Sequence, residues 1–286
     1  MTLRSGTLPL DSNGASLYYE TQGFGPLLVL IPGGHGTSLL FTSLAATLSA
    51  HFRVVTYDRR GFNRSASLAI PPRGQALATH TGDLAALISH LSGDGEGAIL
   101  FGSSWAAIIA ISLLTTYPRL VGKAILHEPT LVALFPSPKD AQLRDTVTAI
   151  SQEFQSKGAP AANRLLMPLV GSRTDREAFA RTPLYAELAS LKTDFFSLYF
   201  QREFGECGSF IPDLMALQQE RDKLVLVMGD DVSAPEFPIY TVTELSRALG
   251  VPAVRFPGGH MGYTYMEKQF ADAIVRSLLG SEVARL

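Results

Sequence analysis

The chain has a single cysteine, Cys207, in 286 residues. That excludes an internal disulfide framework and any clustered-thiolate zinc or iron–sulfur centre, and it fits a reducing, cytoplasmic setting. Charge is scarce and balanced. Charged residues make up 17% of the chain, with 24 Lys+Arg against 26 Asp+Glu. A net charge of -2 offers no electrostatic basis for binding nucleic acid. Long apolar runs are missing as well. The greasiest stretch, residues 98 to 114, is interrupted by Gly102, Ser103 and Ser104, and it falls short of the ~20 apolar residues a membrane-spanning helix needs. The opening MTLRSGTLPLDSNG holds no apolar run of secretory type. Hydrophobic residues, in contrast, make up 46% and the mean hydropathy is +0.16, which suits a large buried core and not a disordered chain.

Short apolar runs alternate with stretches of helical period. Asn13-Gly14 separates two alternating segments and predicts a hairpin turn. Residues 27–31, 53–57, 98–101, 123–127, 224–228 and 253–256 predict strands. Between them, Leu40, Leu44 and Leu48, then Leu77, Leu84, Leu87, Ile88 and Leu91, predict amphipathic helices. Helices are also predicted over 104–117 and 241–249, and for the final stripe of Met266, Phe270, Ile274 and Leu278. This alternation predicts an α/β fold with a mostly parallel central sheet flanked by helices. From Pro129 to about Gln219 the text is helical but broken by Pro136, Pro138, Pro160, Pro168, Pro183 and Pro212. The expected organisation is therefore a core of residues 1–128 and 221–286, with residues 129–220 as a helical cap over a site.

The densest chemistry lies at Phe101-Gly102-Ser103-Ser104-Trp105-Ala106, between a predicted strand and a predicted helix. A serine at a sharp strand-to-helix turn projects its hydroxyl beyond the sheet edge. In the pattern Gly-x-Ser-x-Gly, Ser104 is the nucleophile and Ala106 stands at the second glycine; the plain alternative is a helix cap. A serine hydroxyl needs an adjacent base. His260, in Pro257-Gly258-Gly259-His260-Met261-Gly262, follows the last predicted strand and supplies an imidazole, which titrates near physiological pH. His51, His80 and His90 read as surface residues, and His35 as a weaker pocket candidate. An acid must orient the imidazole, and two strand ends offer one: Glu128 after 123–127, and Asp230 or Asp231 after 224–228. Residue types alone leave that choice open.

The ordered set of Pro32-Gly33-Gly34-His35-Gly36, Tyr57-Asp58-Arg59-Arg60-Gly61-Phe62-Asn63-Arg64-Ser65, Gly102-Ser103-Ser104-Trp105-Ala106 and Gly259-His260 resembles the α/β-hydrolase superfamily over nearly the whole chain. Leu126-His127-Glu128-Pro129-Thr130 with the Pro257–His260 loop is similar to the zearalenone-type lactonases. That resemblance implies Glu128 as the triad acid, whereas more typical superfamily members carry an aspartate at the position of Val232. It also implies an oxyanion hole from the backbone N–H groups of Gly34 and Trp105, no cofactor or metal, and a loop-organising role for the Asp58 stretch. The Phe-rich insertion (Phe195, Phe196, Tyr199, Phe200) suggests a hydrophobic small-molecule substrate, and its apolar helices would serve as a lid or as a homodimer surface. The implied activity is hydrolysis of an ester or lactone. A C–C bond hydrolase, a cofactor-free peroxidase and a non-catalytic receptor share the same fold.

Overall fold

The computed structural model describes residues 2–12, 14–92, 97–134, 138–191 and 194–279; Asn13 of the expected hairpin turn lies outside them. Eight strands form one sheet: β1 (Arg4–Pro9), β2 (Ser16–Gln22), β3 (Leu27–Ile31), β4 (Arg53–Tyr57), β5 (Ala98–Ser103), β6 (Val121–His127), β7 (Leu224–Gly229) and β8 (Ala253–Phe256). Their spatial order is β1-β2-β4-β3-β5-β6-β7-β8. Strand β2 runs antiparallel to β1 and β4, and every other pairing is parallel.

Helices α1 (Thr42–Leu48), α2 (Ala76–Leu91) and α3 (Trp105–Thr116) fall among the first six strands. Among the described residues seven more lie between β6 and β7: α4 (Pro138–Lys157), α5 (Ala159–Val170), α6 (Arg173–Ala180), α7 (Pro183–Ser190), α8 (Phe195–Arg202), α9 (Phe204–Ser209) and α10 (Leu214–Gln219). The chain closes with α11 (Glu236–Leu249), α12 (Gly262–Tyr265) and α13 (Glu267–Leu279). Among the described residues no helix is long and apolar enough to cross a membrane.

Strand β3, Leu-Leu-Val-Leu-Ile, is buried at all five positions, because alternate side chains enter two different cores. Leu27, Val29 and Ile31 pack with α2, α3 and α11, while Leu28 and Leu30 pack with α1 and α13. A strand covered on both faces reads as an unbroken apolar run rather than as an alternating one. The first two turns of α3 are apolar all round for the same reason, with Trp105 to Ile111 fully buried. The parallel strands β3, β5, β6, β7 and β8 all end at one edge of the sheet, and connections there lie where such folds build their sites.

Candidate active site

Ser104 sits between β5 and α3 with φ 62° and ψ -125°, a conformation that side chains other than glycine adopt only when the surroundings impose it. Two bonds impose it here. Its N–H donates to the His127 carbonyl at 3.0 Å, and its own carbonyl accepts from Ala107 N–H at 3.1 Å. The turn is tight enough that a Cβ on Gly102 would stand 2.5 Å from the Ala106 carbonyl oxygen. Gly102 therefore cannot be replaced without moving α3, while Ala106 is accommodated at the second glycine position and fully buried. Trp105 opens α3, so its backbone N–H belongs to the first turn, whose amides have no intrahelical acceptor.

His260 Nδ1 lies 2.7 Å from Glu128 Oε2. Glu128 is 1% exposed and turns inward through a positive φ of 46°. Its other oxygen accepts from Gly229 N–H at 2.9 Å. Gly229 is required there, since a Cβ would meet the Gly258 carbonyl at 2.3 Å. Burial works to raise the Glu128 carboxyl, but His127, His260 and the Gly229 amide outweigh it and hold the group below the usual glutamate range. Asp230 and Asp231 are occupied elsewhere. Asp230 accepts from Gly258 N–H at 2.7 Å, and Asp231 accepts from Ser172 Oγ and from Ser233 N–H and Oγ. Both support neighbouring backbone and leave the imidazole to Glu128.

Ser104, His260, Gly34 and His35 line one cavity. Its remaining wall is largely apolar and comes mostly from the segment between β6 and β7, including Ile150, Leu166, Val170, Phe196, Tyr199 and Phe204. The expected aromatic cluster thus divides, with Phe196 and Tyr199 facing the cavity and Phe195 and Phe200 buried in core. His35 stands edge-on to Phe196 at 4.6 Å, and desolvation lowers it to about 4. Cys207 also faces this cavity, 3.5 Å from the Tyr199 hydroxyl, and burial pushes its thiol up to about 12. Asp58 organises its loop, accepting from Thr37 Oγ1, Ser38 N–H, Asn63 Nδ2 and Arg64. Among the described residues no group of three or more His, Cys, Asp and Glu side chains is arranged to hold a metal ion.

Three features depart from the sequence reading or escape it. His80 is buried, not at the surface: it is 1% exposed and its Nε2 lies 2.8 Å from Glu203 Oε1. The signal was present, because His80 falls three residues after Leu77 and four before Leu84, on the apolar stripe itself. Asp175 of α6, which no motif marks, accepts from Met261 N–H at 3.1 Å and from the Tyr265 hydroxyl at 2.7 Å. Burial raises its carboxyl despite those bonds. His127 is fully buried beside the site, with Nδ1 2.9 Å from Ser103 Oγ and its ring stacked 6.2 Å from that of His260.

The chain is 30% identical to an uncharacterized hydrolase, YraK, of Bacillus subtilis (strain 168), over 96% of each chain. It is 36% identical to a zearalenone hydrolase of Bionectria ochroleuca over 41% of this chain and 44% of that protein, a match to less than half of the relative's length. A thermophilic esterase from Thermogutta terrifontis superposes with a TM-score of 0.72 at 18% identity, covering 96% of this chain and 98% of the other. That likeness is one of fold. The model of the alpha/beta hydrolase family matches residues 28–273, and on that match the chain belongs to the alpha/beta hydrolase family.

Proposed function

We propose that the chain is a serine hydrolase that cleaves an ester or lactone of a hydrophobic small molecule. The observation that carries this reading is the 2.7 Å contact between His260 Nδ1 and Glu128 Oε2, on a cavity that Ser104 also lines. A carboxylate accepting from Nδ1–H fixes the tautomer that leaves Nε2 free to take a proton. Ser104 Oγ then attacks the acyl carbon while His260 removes its proton. The Gly34 and Trp105 N–H groups hold the oxyanion, as such donors do in acyl transfer generally. Collapse expels the alcohol, protonated by His260, and leaves an acyl-enzyme. Water deprotonated by His260 attacks that acyl group, releasing the acid and restoring Ser104. Water is the sole co-reactant.

The apolar wall supports a hydrophobic substrate, and the zearalenone hydrolase relative supports a lactone of that kind. In this reading residues 129–220 act as the lid, since they furnish most of that wall. The test is turnover of a panel of aryl esters and lactones by Ser104→Ala, with fluorophosphonate labelling alongside. Turnover is expected to fall more than about 10³-fold with labelling lost; equal turnover in the variant removes the mechanism.

A further inference from the structure

Arg59 follows β4 and its side chain is completely buried. Its guanidinium faces two ways. Nη2 donates to the Gly33 carbonyl at 2.7 Å, and Nη1 meets Glu203 Oε1 at 2.5 Å. The Arg59 backbone N–H donates to the Gly36 carbonyl at 2.8 Å, and Gly36 N–H returns to the Gly33 carbonyl at 2.9 Å. One residue therefore grips both ends of the loop 33–36. Burial would raise the Glu203 carboxyl, yet Arg59 and His80 hold it below the usual range, so the partner is ionised. Glu203 precedes α9, in the segment between β6 and β7.

No described peptide bond is cis. In a trans peptide the carbonyl of one residue and the N–H of the next point in opposite directions. A Gly33 carbonyl fixed on Arg59 therefore aims the Gly34 N–H away from Arg59. Two consecutive glycines impose little preference of their own on that plane, and a flipped peptide would turn a carbonyl oxygen toward the reacting group. We infer that Arg59 is a positioning residue for the oxyanion hole: it holds the Gly33–Gly34 peptide in the donor orientation, and Glu203 holds Arg59. The inference rests on the reading of Gly34 as an oxyanion donor. A planar fork suits the task, because its two ends reach separate acceptors at fixed angles.

The test compares p-nitrophenyl butyrate with its thiono analogue, in which sulfur replaces the carbonyl oxygen and accepts hydrogen bonds poorly. Arg59→Lys keeps a cation beside Glu203 but cannot span both acceptors. We expect kcat on the oxygen ester to fall about 100-fold with KM little changed, and the oxo/thiono rate ratio to fall at least about tenfold on the same grounds. Glu128→Gln, which weakens the base, should slow both esters alike and keep the ratio. A folded Arg59→Lys protein with the parental ratio would overturn the inference and leave the hydrolase reading intact. If Arg59→Lys does not fold, Glu203→Gln decides: a lowered ratio supports the inference, and an unchanged ratio overturns it. A parent protein inert toward both esters and fluorophosphonate would remove the hydrolase reading, and this inference with it.

Discussion

After β6 the chain turns inward at Glu128, with φ 46° and 1% of the residue exposed. After the adjacent β7 it runs through Asp230, which is exposed, and Asp231, which is half-buried. The first carboxylate spends one oxygen on His260 and the other on Gly229 of the neighbouring strand. The other two hold the Gly258 and Ser233 amides and the Ser172 hydroxyl. Both strand ends reach the histidine loop, but the β7 end meets its backbone at Gly258, whereas the β6 end brings a carboxylate withdrawn from water to the imidazole itself. The β7 end contributes the missing Cβ of Gly229, without which that loop could not approach.

The strongest way to break this contrast is Glu128→Ala, for which kcat should fall about 10³- to 10⁴-fold. Asp231→Asn, in the same assay, should stay within about tenfold of the parent, because its lost contacts serve backbone and a hydroxyl. Comparable losses in the two variants would erase the difference between the strand ends.

A second effect comes from His127, which separates the Ser104 turn from Glu128. Desolvation lowers His127 from 6.5 to about 4. Between those values the unfolded chain takes up a proton that the fold refuses, so stability drops as pH falls from 6.5 to 4. The loss should be on the order of 3 kcal/mol, read as denaturation midpoints across that range. His127→Phe should flatten the slope, and an unchanged slope would assign the acid sensitivity elsewhere.

Smaller still is Asp175→Ala, which strips the acceptor from Met261 N–H and the Tyr265 hydroxyl. Leaving these half-buried donors unpaired should cost on the order of 1 kcal/mol, measurable as a lowered Tm. Asp175→Asn, which retains an acceptor oxygen, should recover most of it.

How far the sequence carries depends on the range of the interactions. The α/β alternation, the Ser104 turn and the His260 loop were legible because period, glycine punctuation and strand ends are local signals. Glu128 emerged through resemblance; its pairing with His260 spans 132 residues, and residue types left Asp230 and Asp231 equally open. Asp175 and Glu203 were invisible, since each meets its partner across a packed interface that no local pattern encodes. His80 shows a different failure. Its place on the apolar stripe was readable, but a histidine there finds its reason in Arg59 and in Glu203, 123 residues away.

The most direct measurement is the mass-spectrometric site and rate of fluorophosphonate labelling in the parent, Glu128→Ala and Asp231→Asn proteins. A single adduct on Ser104 is expected, formed at least about 100-fold more slowly in Glu128→Ala and at nearly the parental rate in Asp231→Asn. An adduct on Ser103, or equal labelling rates in the parent and Glu128→Ala, would contradict it.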